Sequence, residues 1–271
     1  MREWPPEAGP LDRCAPDGAG TAGGVGGAAG PIRIGCTGWS LPAAVAEAFP
    51  VEGGHLARYA GRFGAVEISS SFYRHHLPRT YARWAAAVPA GFRFAVKLPR
   101  AVTHEARLGP AGRPALARFL AEVAALGDRC GPLLAQLPSS LAFDPARTTA
   151  FFADLAARTD AAVACEPRHP SWFTGAADAL LADPAVARVA ADPAVAPAAG
   201  APGGWGGLVY RRLHGSPAIY RSPYPPAALA ALATTVAGEA EHAPVWCFFD
   251  NTADGAAPRD ALVLMALLGQ P

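Results

Sequence analysis

The clearest absence in this sequence is that of lysine. Of the 23 basic residues among 271, only Lys97 is a lysine, and the chain has one asparagine and two glutamines. Alanine, glycine, proline and arginine are abundant instead, a pattern typical of a biased coding sequence rather than of a requirement of the fold. A rare polar residue that persists against such a bias is a candidate for a functional role.

Other absences exclude whole classes of protein. The formal net charge is +1 at pH 7, so there is no overall electrostatic attraction to nucleic acid or to an anionic membrane. None of the five cysteines forms a CxxC pair, which argues against a zinc or redox motif and favours a reduced, cytoplasmic location. The apolar run ALVLMALLG is far shorter than the roughly 20 residues that cross a bilayer, and we predict no membrane association.

Residues 1–30 differ in composition from the rest of the chain. They are rich in glycine, alanine and proline, and they lack the charged-then-apolar order of a signal peptide. They also contain too few apolar side chains to form a core. We therefore predict a disordered leader over residues 1–30 and a single folded domain over residues 31–271.

Short apolar segments alternate with amphipathic helical patterns in the predicted domain. The predicted strands are IRIGCTG, AVEISS, RFAVKLP, PLLAQLP, AVACEPR, ARVAADP, GLVYRRLHG and VWCFFDN. A helical pattern follows each strand except the sixth. Eight such units over about 240 residues predict a (β/α)8 TIM-type barrel of parallel strands. An open doubly wound sheet is the alternative, but the first strand is not followed by that fold's Gly-rich phosphate-binding turn.

The rare polar residues lie where a barrel carries its active groups. In a TIM-type barrel those groups occupy the carboxyl ends of the strands and the loops that follow them. Lys97 ends the third predicted strand, Gln136 the fourth and Asn251 the eighth. This coincidence indicates the position of a functional site.

Seven segments, in chain order, resemble one known family. They are IGCTGW, VEISSSFYR, FAVKLPRAVTHEARL, QLPSS, EPRHPSWF, RLHGSPAIYRSPY and FFDNTADGAA, between Ile34 and Ala257. Together they resemble domain-of-unknown-function family 72, also called YecE-like proteins. The resemblance implies a TIM-type barrel and leaves the activity open. One departure is Ser69, which stands where the family usually has asparagine.

Four residues are the candidate catalytic groups: Lys97, Glu166, His214 and Glu67. A desolvated lysine can lose its proton and act as a base or a nucleophile, whereas arginine stays charged. Glu166 can act as a general base, and His214 can move protons near neutral pH. Glu67 can act as an acid or base, or orient Lys97. The alternative for Lys97 is a structural ion pair with Glu67 or Glu166.

A second group of residues is predicted to bind the ligand. Arg168 and Arg212 can hold a carboxylate or phosphate through the planar guanidinium fork. The other candidates end strands or lie in the adjoining loops: Gln136, Asn251, Asp250, His104, His169, Tyr73 and Trp39. Capping or packing is the competing interpretation for most of them. Only one histidine ends a strand, so we predict neither a metal site nor a cofactor.

Three hypotheses about function remain open. The first is an enzyme using acid/base or lysine chemistry on a small anionic or phosphorylated metabolite, a sugar being one option, because three cations converge on one barrel mouth. The second is a nucleic-acid-binding or phosphodiester-cleaving protein resembling barrel-fold endonucleases, since basic and aromatic residues interleave in YRHHLPRTYARW. The third is a non-catalytic sensor of an anionic ligand, because a barrel does not dictate chemistry. The sequence predicts no oligomeric state.

Overall fold

The computed structural model describes residues 30–270. The leader predicted over residues 1–30 lies outside this range, apart from Gly30. The strands are β1 (Ile32–Cys36), β2 (Ala65–Ile68), β3 (Arg93–Lys97), β4 (Cys130–Gln136), β5 (Val163–Glu166), β6 (Val186–Arg188), β7 (Ala190–Asp192), β8 (Gly203–Gly204), β9 (Val209–Leu213) and β10 (Val245–Phe249). The helices are α1 (His55–Ala60), α2 (Pro78–Ala86), α3 (Arg113–Val123), α4 (Pro145–Ala156), α5 (Gly175–Ala182), α6 (Pro226–Ala240) and α7 (Ala257–Leu267).

Each predicted strand segment contains a strand, with two differences in detail. The segment ARVAADP forms two short strands, β6 and β7, on either side of Val189. The two-residue strand β8 pairs antiparallel with β6 and has no counterpart in the prediction, because its glycines carry no apolar pattern.

The strands form two sheets, with the orders β1-β10-β9-β7 and β2-β3-β4-β5-β6-β8. All the pairs except β6–β8 are parallel. The sheets are linked at two places. Only Val189 separates β6 in one sheet from β7 in the other, and its N–H continues the pairing with β5 by donating to the carbonyl of Cys165 (2.8 Å). At the other end, Thr37 after β1 forms a parallel bridge with Glu67 of β2. The result is an α/β fold built on parallel strands.

An apolar layer lies on one face of the strands, directly before their carboxyl ends. Its buried members are Ala65, Ala95, Leu134, Ala164, Ala187, Val189, Leu208, Tyr210, Trp246 and Phe248. Side chains two residues apart on a strand share a face. The next residue on that face is charged in several strands: Glu67 in β2, Lys97 in β3, Glu166 in β5 and Arg212 in β9. The fold thus places a charged layer over an apolar one.

The helices in residues 30–270 are all too short or too polar to span a bilayer.

Candidate functional site

A buried arginine, Arg212, holds three carboxylates together. Its Nε and Nη2 donate to the two carboxylate oxygens of Glu67, at 2.9 and 2.8 Å. Its Nη1 donates to Glu166 Oε2 at 2.7 Å, and Nη2 also donates to Asp250 Oδ2 at 3.0 Å. Burial alone would lower the pKa of Arg212, but the neighbouring carboxylates hold it well above its ordinary value. Arg212 is therefore a permanent cation inside the protein.

The imidazole of His214 lies between two of these carboxylates. Nδ1 is 2.9 Å from Asp250 Oδ2, and Nε2 is 3.0 Å from Glu166 Oε1 and 2.7 Å from Arg168 Nη2. An ionised carboxylate only accepts hydrogen bonds, so Nδ1 carries a hydrogen. Nε2 thus has an acceptor, Glu166 Oε1, and a donor, Arg168 Nη2, both within hydrogen-bonding distance.

The carboxyl groups of Glu166 and Asp250 stay ionised. Burial raises the pKa of each, but the charge of Arg212 and the hydrogen bond from His214, with the charge of Arg168 added at Glu166, together outweigh it. The pKa of Glu166 is held well below its ordinary value, and that of Asp250 is also lowered. The general-base role of Glu166 stays a prediction.

Three hydroxyl groups of the described residues donate to the carboxylate of Glu67. Ser69 Oγ, directly after β2, donates to Oε1 at 2.7 Å, and Thr37 Oγ1 donates to the same oxygen at 3.5 Å. Tyr210 Oη donates to Oε2 at 2.8 Å. Sequence reasoning missed Tyr210, although its position two residues before Arg212 on β9 was a usable signal.

Lys97 lies beside this network without joining it. Its side chain is 8% exposed, and Nζ lies 4.2 Å from the centroid of the Phe72 ring. Within residues 30–270 no carboxylate comes within ion-pair distance of Nζ, because Arg212 engages both Glu67 and Glu166. Burial, and next the charge of Arg212, lower the pKa of Lys97 from 10.5 to about 8. The structural ion pair considered as the alternative for Lys97 is thus absent from the described part of the chain.

Three further predicted residues lie near these groups. His104 packs its ring against Phe72 at 4.8 Å, and burial and the charge of Lys97 lower its pKa. The ring of Tyr73 stands edge-on to that of Phe72, with 4.9 Å between the ring centroids, and Tyr73 is 78% exposed. Gln136 pairs with Glu166 in the register of β4 and β5.

Other predicted binding residues have partners within the protein. Asn251 is fully buried, and its Nδ2 donates to Ser222 O and to Asp260 Oδ2 at the start of α7, while its Oδ1 has no partner among the described residues. His169 caps a short turn by accepting from Ser171 N–H. Arg212 is 1% exposed, and its guanidinium donates to three carboxylates of the protein.

The segment that motivated the nucleic-acid hypothesis belongs largely to α2. Tyr81 is fully buried, and Trp84 packs on Trp39 at 5.1 Å, which gives Trp39 a packing role too. Arg79 and Arg83 face solvent. The interleaving of basic and aromatic residues therefore follows from an amphipathic helix.

The acidic residues of this network are not arranged as metal ligands. Within residues 30–270, no group of three or more His, Cys, Asp or Glu side chains is placed to hold a metal ion. Each carboxylate of the network is instead directed at a guanidinium group.

Fold and site together define an α/β protein of parallel strands with an ion-pair network at the strand ends. The chain belongs to the family described as "Protein of unknown function DUF72", whose model matches residues 33–271. This finding confirms the resemblance drawn from the seven sequence segments.

Relatives and solved structures agree with this assignment. UPF0759 protein YecE of Escherichia coli strain K12 is 30% identical over 145 residues, which are 52% of this chain and 50% of that protein. The matched region thus spans about half the length of the curated relative. A DUF72 family protein from Enterococcus faecalis V583 has a TM-score of 0.74 at 20% identity, covering 89% of this chain and 96% of its own. A DUF72 family protein from Thermotoga maritima MSB8 has a TM-score of 0.72 at 22% identity, covering 89% of this chain and 100% of its own. At these identities the structures show a shared fold.

Removing the guanidinium of Arg212 should lower the stability of the protein. In Arg212→Met three buried carboxylates lose their shared cation, so we expect a loss of about 3–5 kcal/mol in the free energy of unfolding, measured by urea denaturation. Arg211→Met is the matched control, because Arg211 pairs with Glu239 of α6 and, among residues 30–270, with no second carboxylate. Equal losses in the two variants would contradict the central position given to Arg212.

Replacing Lys97 by methionine should stabilise the protein in a pH-dependent way. The folded pKa of about 8 lies below the ordinary 10.5, so the unfolded chain binds more protons between these values. Below pH 8, Lys97→Met should be more stable than the wild type by about 3 kcal/mol, and the gap should close as the pH rises to 10.5. The arginine of Lys97→Arg stays charged over this range, so the stability of that variant should not rise with pH to approach that of Lys97→Met. Thermal melts across this range measure the gap, and a gap independent of pH would refute the assignment.

Proposed function

We propose that this protein is an enzyme that uses the neutral amine of Lys97 on a small anionic metabolite. The observation that carries the proposal is that Lys97 is buried, has no carboxylate partner in residues 30–270 and has a pKa of about 8. An amine of this pKa is partly neutral at physiological pH, whereas an ordinary lysine is almost entirely protonated.

A neutral lysine amine can serve in two ways. As a base, its lone pair takes a proton from carbon or oxygen of the substrate. As a nucleophile, it forms a bond to a carbonyl carbon, and the carbonyl oxygen leaves as water once it has been protonated. Nε2 of His214 lies in the ion-pair network beside Lys97, and we propose that it exchanges a proton with the substrate in either route.

Arg168 is the group that we propose to hold the anion. The expected excess of positive charge is largely offset within the protein, since three carboxylates surround the guanidinium groups. Arg168, however, keeps unused hydrogen-bonding capacity, because its Nε has no partner among the described residues. Its side chain is also 15% exposed, against 1% for Arg212. A carboxylate or phosphate accepts hydrogen bonds from such a guanidinium.

We further infer that the two sheets close into one eight-stranded barrel with this network at its mouth. The passage of the chain from β6 into β7 through Val189 and the bridge between Thr37 and Glu67 support closure at the two junctions. If β6 and β7 count as one interrupted strand, the parallel strands number eight. Charged groups at the carboxyl ends of the strands fit the position of active sites in such barrels.

Reductive trapping tests the proposal, because the chain has a single lysine. The protein is incubated with sodium cyanoborohydride and either glyoxylate, an anionic aldehyde, or acetaldehyde, its uncharged counterpart. Peptide mass spectrometry then measures the adduct on Lys97. We expect Lys97 to be modified at pH 7.5, with glyoxylate favoured by about tenfold because Arg168 attracts its carboxylate.

The matched control is Arg168→Gln, which should lose the preference for glyoxylate and keep a reactive Lys97. Urea-unfolded protein supplies the reference reactivity of an ordinary lysine. The proposal fails if folded Lys97 reacts no faster than the unfolded one, and the anion assignment fails if the two aldehydes react alike.

A further inference from the structure

A groove of ≈ 440 Å³ is lined in part by Phe72, whose ring also lies 4.2 Å from Lys97 Nζ. It is bounded by the loop after β2, the loop after β3 and helix α3. Its aromatic lining consists of Phe72, Tyr73, Tyr81 and Phe119, and its charged lining of Arg74, Arg100, Arg118, Glu105 and Glu122. A cavity of this volume is in the range that binds small molecules.

One lining residue has a hydroxyl group that the protein leaves unused. Tyr81 is fully buried, and its Oη has no hydrogen-bond partner in residues 30–270. Burial holds the pKa of Tyr81 above its ordinary value, with the charge of Glu122 adding to the effect, so the hydroxyl stays protonated. A buried donor without an acceptor is costly, and a ligand oxygen in the groove would remove that cost.

The charges of the groove favour an anionic ligand. Arg118 pairs with Glu122 at 2.9 Å, and Arg100 pairs with Glu105 at 3.5 Å. The guanidinium of Arg74 has no carboxylate partner in the described part of the chain. Three arginines against two carboxylates leave one positive charge, and Arg74 is the exposed group that carries it.

The aromatic lining favours a ligand with a planar ring. Tyr73 is 78% exposed and stands edge-on to Phe72, with 4.9 Å between the ring centroids. An aromatic side chain so open to water offers a face on which another ring can stack. Phe72 also contacts Lys97, so a ring bound on the groove side changes the surroundings of the Lys97 amine.

We propose that this groove binds a small molecule made of a planar ring and an anionic group, with Tyr73 contacting the ring, Arg74 the anion and the Tyr81 hydroxyl an oxygen acceptor. The inference is independent of the proposed enzymatic function, since binding here requires no reaction at Lys97.

Phenyl phosphate is the probe, because it joins a ring to a phosphate group. Calorimetry measures binding, and the ¹³C signal of protein labelled at Cε of its one lysine reports occupancy beside Phe72. We expect saturable binding to one site, a shift of the Lys97 signal, and at least about tenfold weaker binding of inorganic phosphate or phenol alone.

Two variants test the assigned contacts. Tyr81→Phe removes the unpartnered hydroxyl and should weaken binding about fivefold without lowering the melting temperature. Arg74→Gln changes an exposed residue and should weaken binding about tenfold. Arg83→Gln is the matched control, an exposed arginine on α2 outside the groove, and should bind as the wild type does. The proposal is overturned if phenyl phosphate does not saturate, if inorganic phosphate binds equally well, or if all three variants bind alike.

Discussion

The contact between the Arg212 guanidinium and three carboxylates is the interaction on which the site depends. Arg212 belongs to the sheet containing β9, whereas Glu67 and Glu166 belong to the other sheet, so these ion pairs connect the two sheets. A buried charge is tolerated only when its hydrogen-bonding capacity is used. The planar guanidinium of arginine can donate hydrogen bonds to several carboxylates at once, which a lysine amine in its place could not do.

This arrangement sets the chemistry of the neighbouring lysine. Because Arg212 engages the carboxylates, Lys97 receives their attraction only at a distance, while it bears the full cost of burial and the repulsion of Arg212. The charged form of Lys97 therefore lowers the free energy of unfolding, and the amine loses its proton readily. Sites that hold a destabilised group in this way are often functional, because the energetic cost would otherwise favour an apolar side chain.

The sequence predicted the alternation of strands and helices, and it also predicted which rare polar residues end strands. Lys97 and Gln136 are the last residues of β3 and β4, because short apolar runs define where each strand lies. The partner of each charged group could not be predicted. Glu67 and Arg212 lie on strands far apart in sequence, and the distance between them depends on how the sheets face one another. The partners of Asn251 could not be predicted for the same reason, since one lies in the loop after β9 and the other on α7.

The most direct measurement is an NMR titration of the single lysine, labelled with ¹³C at Cε, in folded and urea-unfolded protein. Our account predicts that the folded protein gives a midpoint near 8, about two units below that of the unfolded chain. A folded midpoint at or above 10.5 would mean that a carboxylate stabilises the charged amine, and it would contradict the central claim.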